Sequence, residues 1–412
     1  METIIEPLKN LVELVIDYRG KTPLKLNGEW SNSGYRALSA LNVKTRGLVA
    51  EDKVRFVDEE LYKKWMKVEI NRGDILITSE APFGQVFQWN SDEKIVLSQR
   101  LFALRIKPQF CSEYIYQYMA SGFFYAELKA RATGSTVEGL RQPALMKCKI
   151  SLPPLPTQRK IASILSSYDS LIENNTKRIR LLEQMAENLY KEWFVRFRFP
   201  GHEHTEFVDG LPKGWTAIRI KKLTSLKSGF AFKSEWFTDD GYAVAKIKDI
   251  GNIIMDTSDF SYVYEENCKK AERYKLVEGD LTIALTGATI GKISIVPKYN
   301  KPLYTNQRLG KFFNGANPID KLPFLYCLFS QDVMIQNIIN LANSSSAQPN
   351  ISPEQIENIK FIGDLRLIDI FNKTTKNLFK EILNLHYQST ILTRQRDLLL
   401  PRLMSGKLEV KS

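Results

Sequence analysis

The chain has 412 residues, 43% of them hydrophobic, and its 58 basic side chains outnumber 46 acidic ones for a formal net charge of +12. That length allows two or three domains with cores of their own, and the hydrophobic share excludes a disordered polymer. The positive excess favours a polyanionic partner, although proteins that never meet nucleic acid carry comparable charge.

Residues 1–156 read as a mixed α/β lobe. The stretch "RGDILITSEAPFGQVF" (72–87) is a Gly-Asp pair, an apolar strand at 75–78, a polar turn and a second strand. "SQRL" (98–101) opens the next apolar strand, 101–106, and 112–132 has the pattern of a helix. "SLPPLPTQ" (151–158) closes the lobe, its prolines fixing an extended entry to a long helix. From 157 to 199 a heptad seam runs through Ile161, Leu165, Ile172, Ile179, Ala186 and Trp193, with Asn175 as a polar member. Residues 200–214 are a Gly/Pro-rich linker. Residues 215–365 form a second mixed lobe with strand 281–285 and a helix near 323–341. A second heptad seam in 366–412 passes through Ile368, Phe371, Ile382, Leu385 and Leu403, with polar Thr375, Ser389 and Arg396. These polar positions fix register between the two helices, or face a third helix or solvent.

The lobes are copies. "EGDLTIALTGATIGKIS" (278–294) repeats 72–87, "NQRL" (306–309) repeats "SQRL", and Gly229 can be set against Gly20. The expected architecture is therefore lobe, helix, lobe, helix: duplicated α/β lobes on two long antiparallel helices, closing with pseudo-two-fold symmetry.

"GATIGKIS" (287–294) comes close to a phosphate-binding loop, but it has three residues where that loop has four before its Gly-Lys pair, and Ile293 stands where a magnesium-binding hydroxyl belongs. The first copy has Gln85 in place of Lys292, so the segment reads as a variable turn on a common frame rather than a nucleotide cradle. Only three histidines occur, His202, His204 and His386, which argues against a His-based catalytic or metal site. "EDK" (51–53) and "DEK" (92–94) are too short to carry a nuclease reading in a chain so rich in charge. The four cysteines show no metal-binding or disulfide spacing and fit a reducing cytoplasm. The absence of an N-terminal apolar signal and of a long apolar run argues against export and membrane insertion.

Residues 152–194, "LPPLPTQRKIASILSSYDSLIENNTKRIRLLEQMAENLYKEWF", and 394–410, "RQRDLLLPRLMSGKLEV", resemble the central and C-terminal regions of type I restriction-modification specificity subunits. "LPKGW" (211–215) is similar to the opening of a target-recognition domain, and the Gly-Asp elements to its signature strand. "FIGDLRLIDIF" (361–371) departs from the pattern, lacking the Pro-Pro and Gln-Arg elements of the first copy. The resemblance implies a non-catalytic reader of double-stranded DNA, each lobe taking one half of a split asymmetric target. It also implies helices that dock two adenine methyltransferase subunits, with restriction/motor subunits joining for cleavage. S-adenosylmethionine, ATP and magnesium then belong to the partners. The rival reading is a coiled-coil adaptor whose lobes bind protein.

On the DNA reading, the base-reading candidates are the polar residues of the variable turns, Ser79, Glu80 and Gln85 in the first lobe and Thr286, Thr289 and Lys292 in the second. Arg100 and Arg308 contact DNA or brace the fold through a buried ion pair. Ser135, Thr136 and Arg141 in one loop and Ser345, Ser346 and Gln348 in another supply small or basic donors suited to phosphate. Lys21 and Lys233, near the matched glycines, complete the set. Ile164, Leu171, Met185 and Phe194 are the outward apolar candidates for partner docking. Residues 1–156 carry 22 basic and 18 acidic side chains and residues 199–365 carry 19 of each, so DNA-binding lobes must gather their basic groups on one face.

Overall fold

The computed structural model describes residues 3–133, 138–343 and 349–410. Two compact units divide the chain: Met1–Ile172 with Leu392–Ser412, and Glu173–Ile391.

In the first unit the strands Val12–Asp17, Leu101–Ile106, Ile75–Thr78 and Val86–Gln88 lie in that order in an antiparallel sheet. All four residues of Ile75–Thr78 are buried, so both faces of the sheet are covered. Side chains alternate along a strand, and the alternation sorts this lobe into two cores. Ile75, Ile77, Phe102 and Leu104 pack with Tyr114, Ile115 and Phe124. Leu76, Leu101 and Ala103 pack instead with Leu38, Trp65 and Ile95, from a second sheet and a short helix. In that second sheet Tyr35–Leu38 lies between Arg55–Val57, antiparallel, and Ile95–Leu97, parallel.

The second unit repeats this frame. Its antiparallel sheet runs Ser225–Ser228, Leu309–Phe313, Leu281–Ala284, Ile293–Ile295, and Tyr242–Ala245 again pairs in parallel, here with Leu303–Thr305. The Gly-Asp pair explains why the repeat is so close. Gly73 (φ +93°) and Gly279 (φ +85°) occupy the left-handed region that a side chain disfavours. Their N–H groups donate to Trp89 O (2.7 Å) and Val296 O (2.9 Å). Asp74 accepts from Asn71 N–H and Asp280 from Val277 N–H, each at 2.8 Å. Each aspartate is almost fully buried and meets one cation, Arg105 at 2.8 Å or Lys311 at 2.7 Å. These are the recurrent bracing pairs, a role the sequence had left open for Arg100 and Arg308.

Three expectations change in detail. The helical stretch of each lobe is broken in two: Ser112–Met119 and Gly122–Lys129, where the Ser121 hydroxyl accepts from Phe124 N–H, and Leu322–Phe329 and Asp332–Asn343. The linker holds a hairpin, Phe207–Val208 with Leu211–Pro212, turned by Asp209 and Gly210, both at positive φ. Gly20 and Gly229 are not equivalents, because strand register places Tyr18 at the position of Gly229. A Cβ on Gly229 would lie 2.3 Å from Thr305 O, whereas Gly20 has open space around it.

The long helices are Leu155–Tyr190 and Leu365–Met404. The second starts without the Pro-Pro entry because Asp364 caps it, accepting from Arg366 N–H at 2.7 Å and Leu367 N–H at 3.3 Å. The π turn Lys191–Val195 ends the first helix and turns Trp193 and Phe194 inward. Within each unit the helix segments pair antiparallel. Ile161 and Leu165 share a core with Leu403 and Met404, and Asp169 meets Arg396 at 2.7 Å. In the second unit Asn175 donates to the Ser389 hydroxyl at 3.2 Å, and Arg178 reaches Glu381 at 2.9 Å. Asn175, Ser389 and Arg396 thus face seam partners, while the Thr375 hydroxyl donates to Phe371 O of its own helix at 2.7 Å.

Candidate nucleic-acid interface

Each lobe binds its variable turn to the residue following Gln99 or Gln307 by the same backbone staple. Ser79 N–H donates to Arg100 O at 2.8 Å and Ser79 O accepts from Leu140 N–H at 2.9 Å. In the second lobe Leu285 N–H donates to Arg308 O and Ile351 N–H to Leu285 O, both at 3.0 Å. The staple brings together three segments distant in sequence: turn, Gln-Arg corner and small-residue loop.

In the first lobe the three segments line an open cleft of about 490 Å³ that includes Ser79, Glu80, Gln99, Arg100 and Arg141. Arg100 has φ +64°, and its Nε lies 3.1 Å from Glu80 Oε1 with half of the side chain exposed. Arg141 is exposed, and its carbonyl accepts from Ala144 and Leu145 N–H of the short helix it begins. Arg19, rather than the candidate Lys21 two residues on, also lines the cleft. It is held by Asp17 through Nε and Nη2, both at 2.9 Å, and lies 3.8 Å over the Phe102 ring. Its signal was present in the sequence as the basic residue that follows a strand and precedes Gly20.

Several candidates stand elsewhere. Gln85 is committed to its own lobe, its Oε1 accepting from Thr45 N–H (2.9 Å) and the Thr45 hydroxyl (3.1 Å), so it is no free base reader. Lys21 is likewise occupied, donating to Trp65 O at 2.9 Å, and burial pulls its amine below the usual lysine value. Lys233 is exposed beside Glu235 (3.6 Å) and Trp236. In the second lobe Thr286 pairs with Asn350, and Arg308 is exposed at the matching corner. Lys292 is exposed at the far end of the turn, whereas the Thr289 hydroxyl is buried without a hydrogen-bond partner among the described residues. Ser135, Thr136, Ser345, Ser346 and Gln348 lie outside the described residues.

Of the docking candidates, Leu171 and Met185 are 50% and 56% exposed, and Ile164 is half-buried against the first lobe's core. Phe194 does not face outward as expected: it is 8% exposed and packs among Tyr190, Trp215, Phe324 and Phe371, because the π turn rotates it off the helix surface. Among the described residues no group of three or more His, Cys, Asp or Glu could hold a metal ion, and no helix is long and apolar enough to cross a membrane.

Residues 7–184 and 212–362 match the family described as type I restriction modification DNA specificity domain, one match on each lobe. The chain belongs to this family. It is 27% identical over 352 residues to the type I restriction enzyme MjaVIII specificity subunit of Methanocaldococcus jannaschii, covering 83% of this chain and 78% of that one. It is 24% identical over 416 residues to the HindI specificity subunit of Haemophilus influenzae, covering 83% and 88%. The crystal structure of a type I restriction-modification S subunit from M. genitalium shares the fold, with TM-score 0.57 at 17% identity, over 100% of this chain and 97% of that one. The duplicated lobe frame is thus that of a type I specificity subunit.

Proposed function

We propose that this specificity subunit reads double-stranded DNA with its two lobes, each taking one half of a split asymmetric target. Its long helices dock adenine methyltransferase subunits, and restriction/motor subunits join that assembly. S-adenosylmethionine, ATP and magnesium belong to those partners, and this chain contributes recognition rather than a chemical step. The observation that carries the reading is the repeated staple, which presents an arginine corner and a polar turn at the same place in each lobe while varying the side chain between them, Glu80 in one and Thr286 in the other. An arginine suits guanine O6 and N7 or a phosphate, and a carboxylate can accept from cytosine N4.

Footprinting the chain assembled with a methyltransferase partner, followed by sequencing of methylated sites, tests this. Two protected patches separated by unprotected bases are expected. Arg100→Ala is expected to relax one half-site and Arg308→Ala the other. Uniform or absent protection would favour the protein-binding adaptor.

A further inference from the structure

The hairpin Val43–Lys44 with Gly47–Leu48 turns through Thr45 and Arg46, and both turn residues are tied to other parts of the first unit. Besides holding Gln85, the Thr45 hydroxyl accepts from Val86 N–H at 3.3 Å. Arg46, at φ +71°, donates its N–H to Val86 O at 3.1 Å. Its Nη1 reaches Gln117 Oε1 at 2.7 Å and Asp169 Oδ2 at 2.8 Å. Gln117 Nε2 donates to the same carboxylate oxygen at 2.6 Å, and the other oxygen accepts from Arg396 Nη1 at 2.7 Å. Asp397 holds the rest of the Arg396 guanidinium. One carboxylate on the first long helix therefore receives an arginine from the reading lobe and another from the second long helix.

Stability alone does not account for this arrangement. Buried ion pairs give back much of their attraction as desolvation, and apolar packing of similar volume often does as well. The second lobe shows that alternative in the same frame. Counting from the starts of the long helices, Phe379 replaces Asp169 and Ala186 replaces Arg396; from the starts of the paired helices, Cys327 replaces Gln117. All three are fully buried in one apolar core. Arg46, by contrast, adopts a left-handed backbone and keeps Nη2 buried without a partner among the described residues. What charged hydrogen bonds add over apolar contact is fixed direction and distance.

We infer that Asp169 is a positioning residue: through Arg46 and Thr45 it sets where the first lobe's recognition turn, residues 79–85, stands on the helix pair. The inference rests on the reading that this turn faces DNA. Its working chain is short. Asp169 fixes Arg46, Thr45 fixes Gln85, and Gln85 ends the turn that carries Ser79 and Glu80. A displaced turn would pull the cleft out of register with a base edge without removing any group that contacts it.

The test uses Arg46→Gln and Asp169→Asn in the complex with methyltransferase subunits, read by sequencing methylated sites and by amide hydrogen exchange. Arg46→Gln leaves the Asp169–Arg396 pair between the helices, so it separates positioning from folding. Both variants are expected to lose about tenfold in discrimination at one half-site, roughly one base contact. The other half-site should be unchanged, with faster exchange at 79–86. Equal loss at both half-sites, or a lower melting temperature with an unaltered half-site profile, overturns the inference. Arg100→Ala in the same assay keeps the two readings apart. If it relaxes a half-site and Arg46→Gln does not, positioning fails; if it changes neither half-site, the cleft reading fails, and a half-site change by Arg46→Gln alone still supports positioning.

Discussion

The two lobes share a backbone frame down to individual hydrogen bonds, yet they join their helices by opposite means. The first uses Arg46, Gln117, Asp169 and Arg396, and the second uses Cys327, Phe379 and Ala186. The capping turns differ in the same spirit. Asn42 accepts from Ser39 N–H at 3.0 Å in one lobe, and Asp249 accepts from Lys246 N–H at 2.7 Å in the other. What recurs is what the backbone demands: a left-handed glycine, an aspartate that accepts from the turn, and a cation to neutralise it. Side chains that only fill or link are free to change from charge to hydrocarbon. A duplicated frame can therefore persist while each lobe acquires its own side chains and attachment.

The comparison can be broken most forcefully in the second lobe. Phe379 is fully buried, so Phe379→Ala should lower the stability of that unit by about 3–5 kcal/mol in chemical denaturation, through lost contacts and a cavity. A loss under about 1 kcal/mol would mean that the apolar junction contributes little.

Asp249 offers a pH test of similar size. Burial pushes its carboxyl up to about 6. The folded protein thus keeps this proton to a higher pH than the unfolded chain, whose aspartates release it near about pH 4. Its stabilising contribution is present below about pH 4 and is lost as pH rises through about 6. A gap of that width corresponds to roughly 3 kcal/mol. Asp249→Asn, which gives the second lobe the residue of the first, should remove this slope and raise stability at neutral pH. An unchanged pH profile would show that the carboxylate is well solvated.

A smaller effect is expected at the ionic junction. Asp169→Asn leaves Arg46 and Arg396 without their shared counter-charge, and partial exposure of Asp169 reduces the cost to about 2 kcal/mol. The deficit should shrink in high salt, in contrast to that of Phe379→Ala. Parallel melts at low and high ionic strength would check this, and equal salt dependence would erase the distinction between the junctions.

The smallest effect on stability belongs to the exposed helix residues. Leu171→Glu and Met185→Glu, one in each unit, should change melting by no more than about 0.5 kcal/mol. Both should weaken assembly with methyltransferase subunits in sedimentation. Loss of folding would place them in the core instead.

Local chemistry made much of this molecule legible in its sequence. The Gly-Asp pairs announce their turns because a left-handed backbone needs glycine and a tight turn needs an acceptor, and the duplication shows because both copies obey the same requirement. The helix pair was legible through its seam: Ile161, Leu165, Phe371, Ile382 and Leu385 are all fully buried. Tertiary structure alone decided which polar residues remain available. Gln85 and Glu80 stand on the same turn and look equally suited to a base, yet Thr45 occupies one while the other stands in the cleft beside Arg100. Phe194 looked outward on an ideal helix, and the π turn at Lys191–Val195 carried it into the core. Asp169 gave no sign of its role, since its partners lie far away along the chain and periodicity carries no information about which distant cation will meet a carboxylate. Sequence spacing determines turns and faces because they depend on neighbouring residues, whereas the pairing of buried charges depends on segments that only folding brings together.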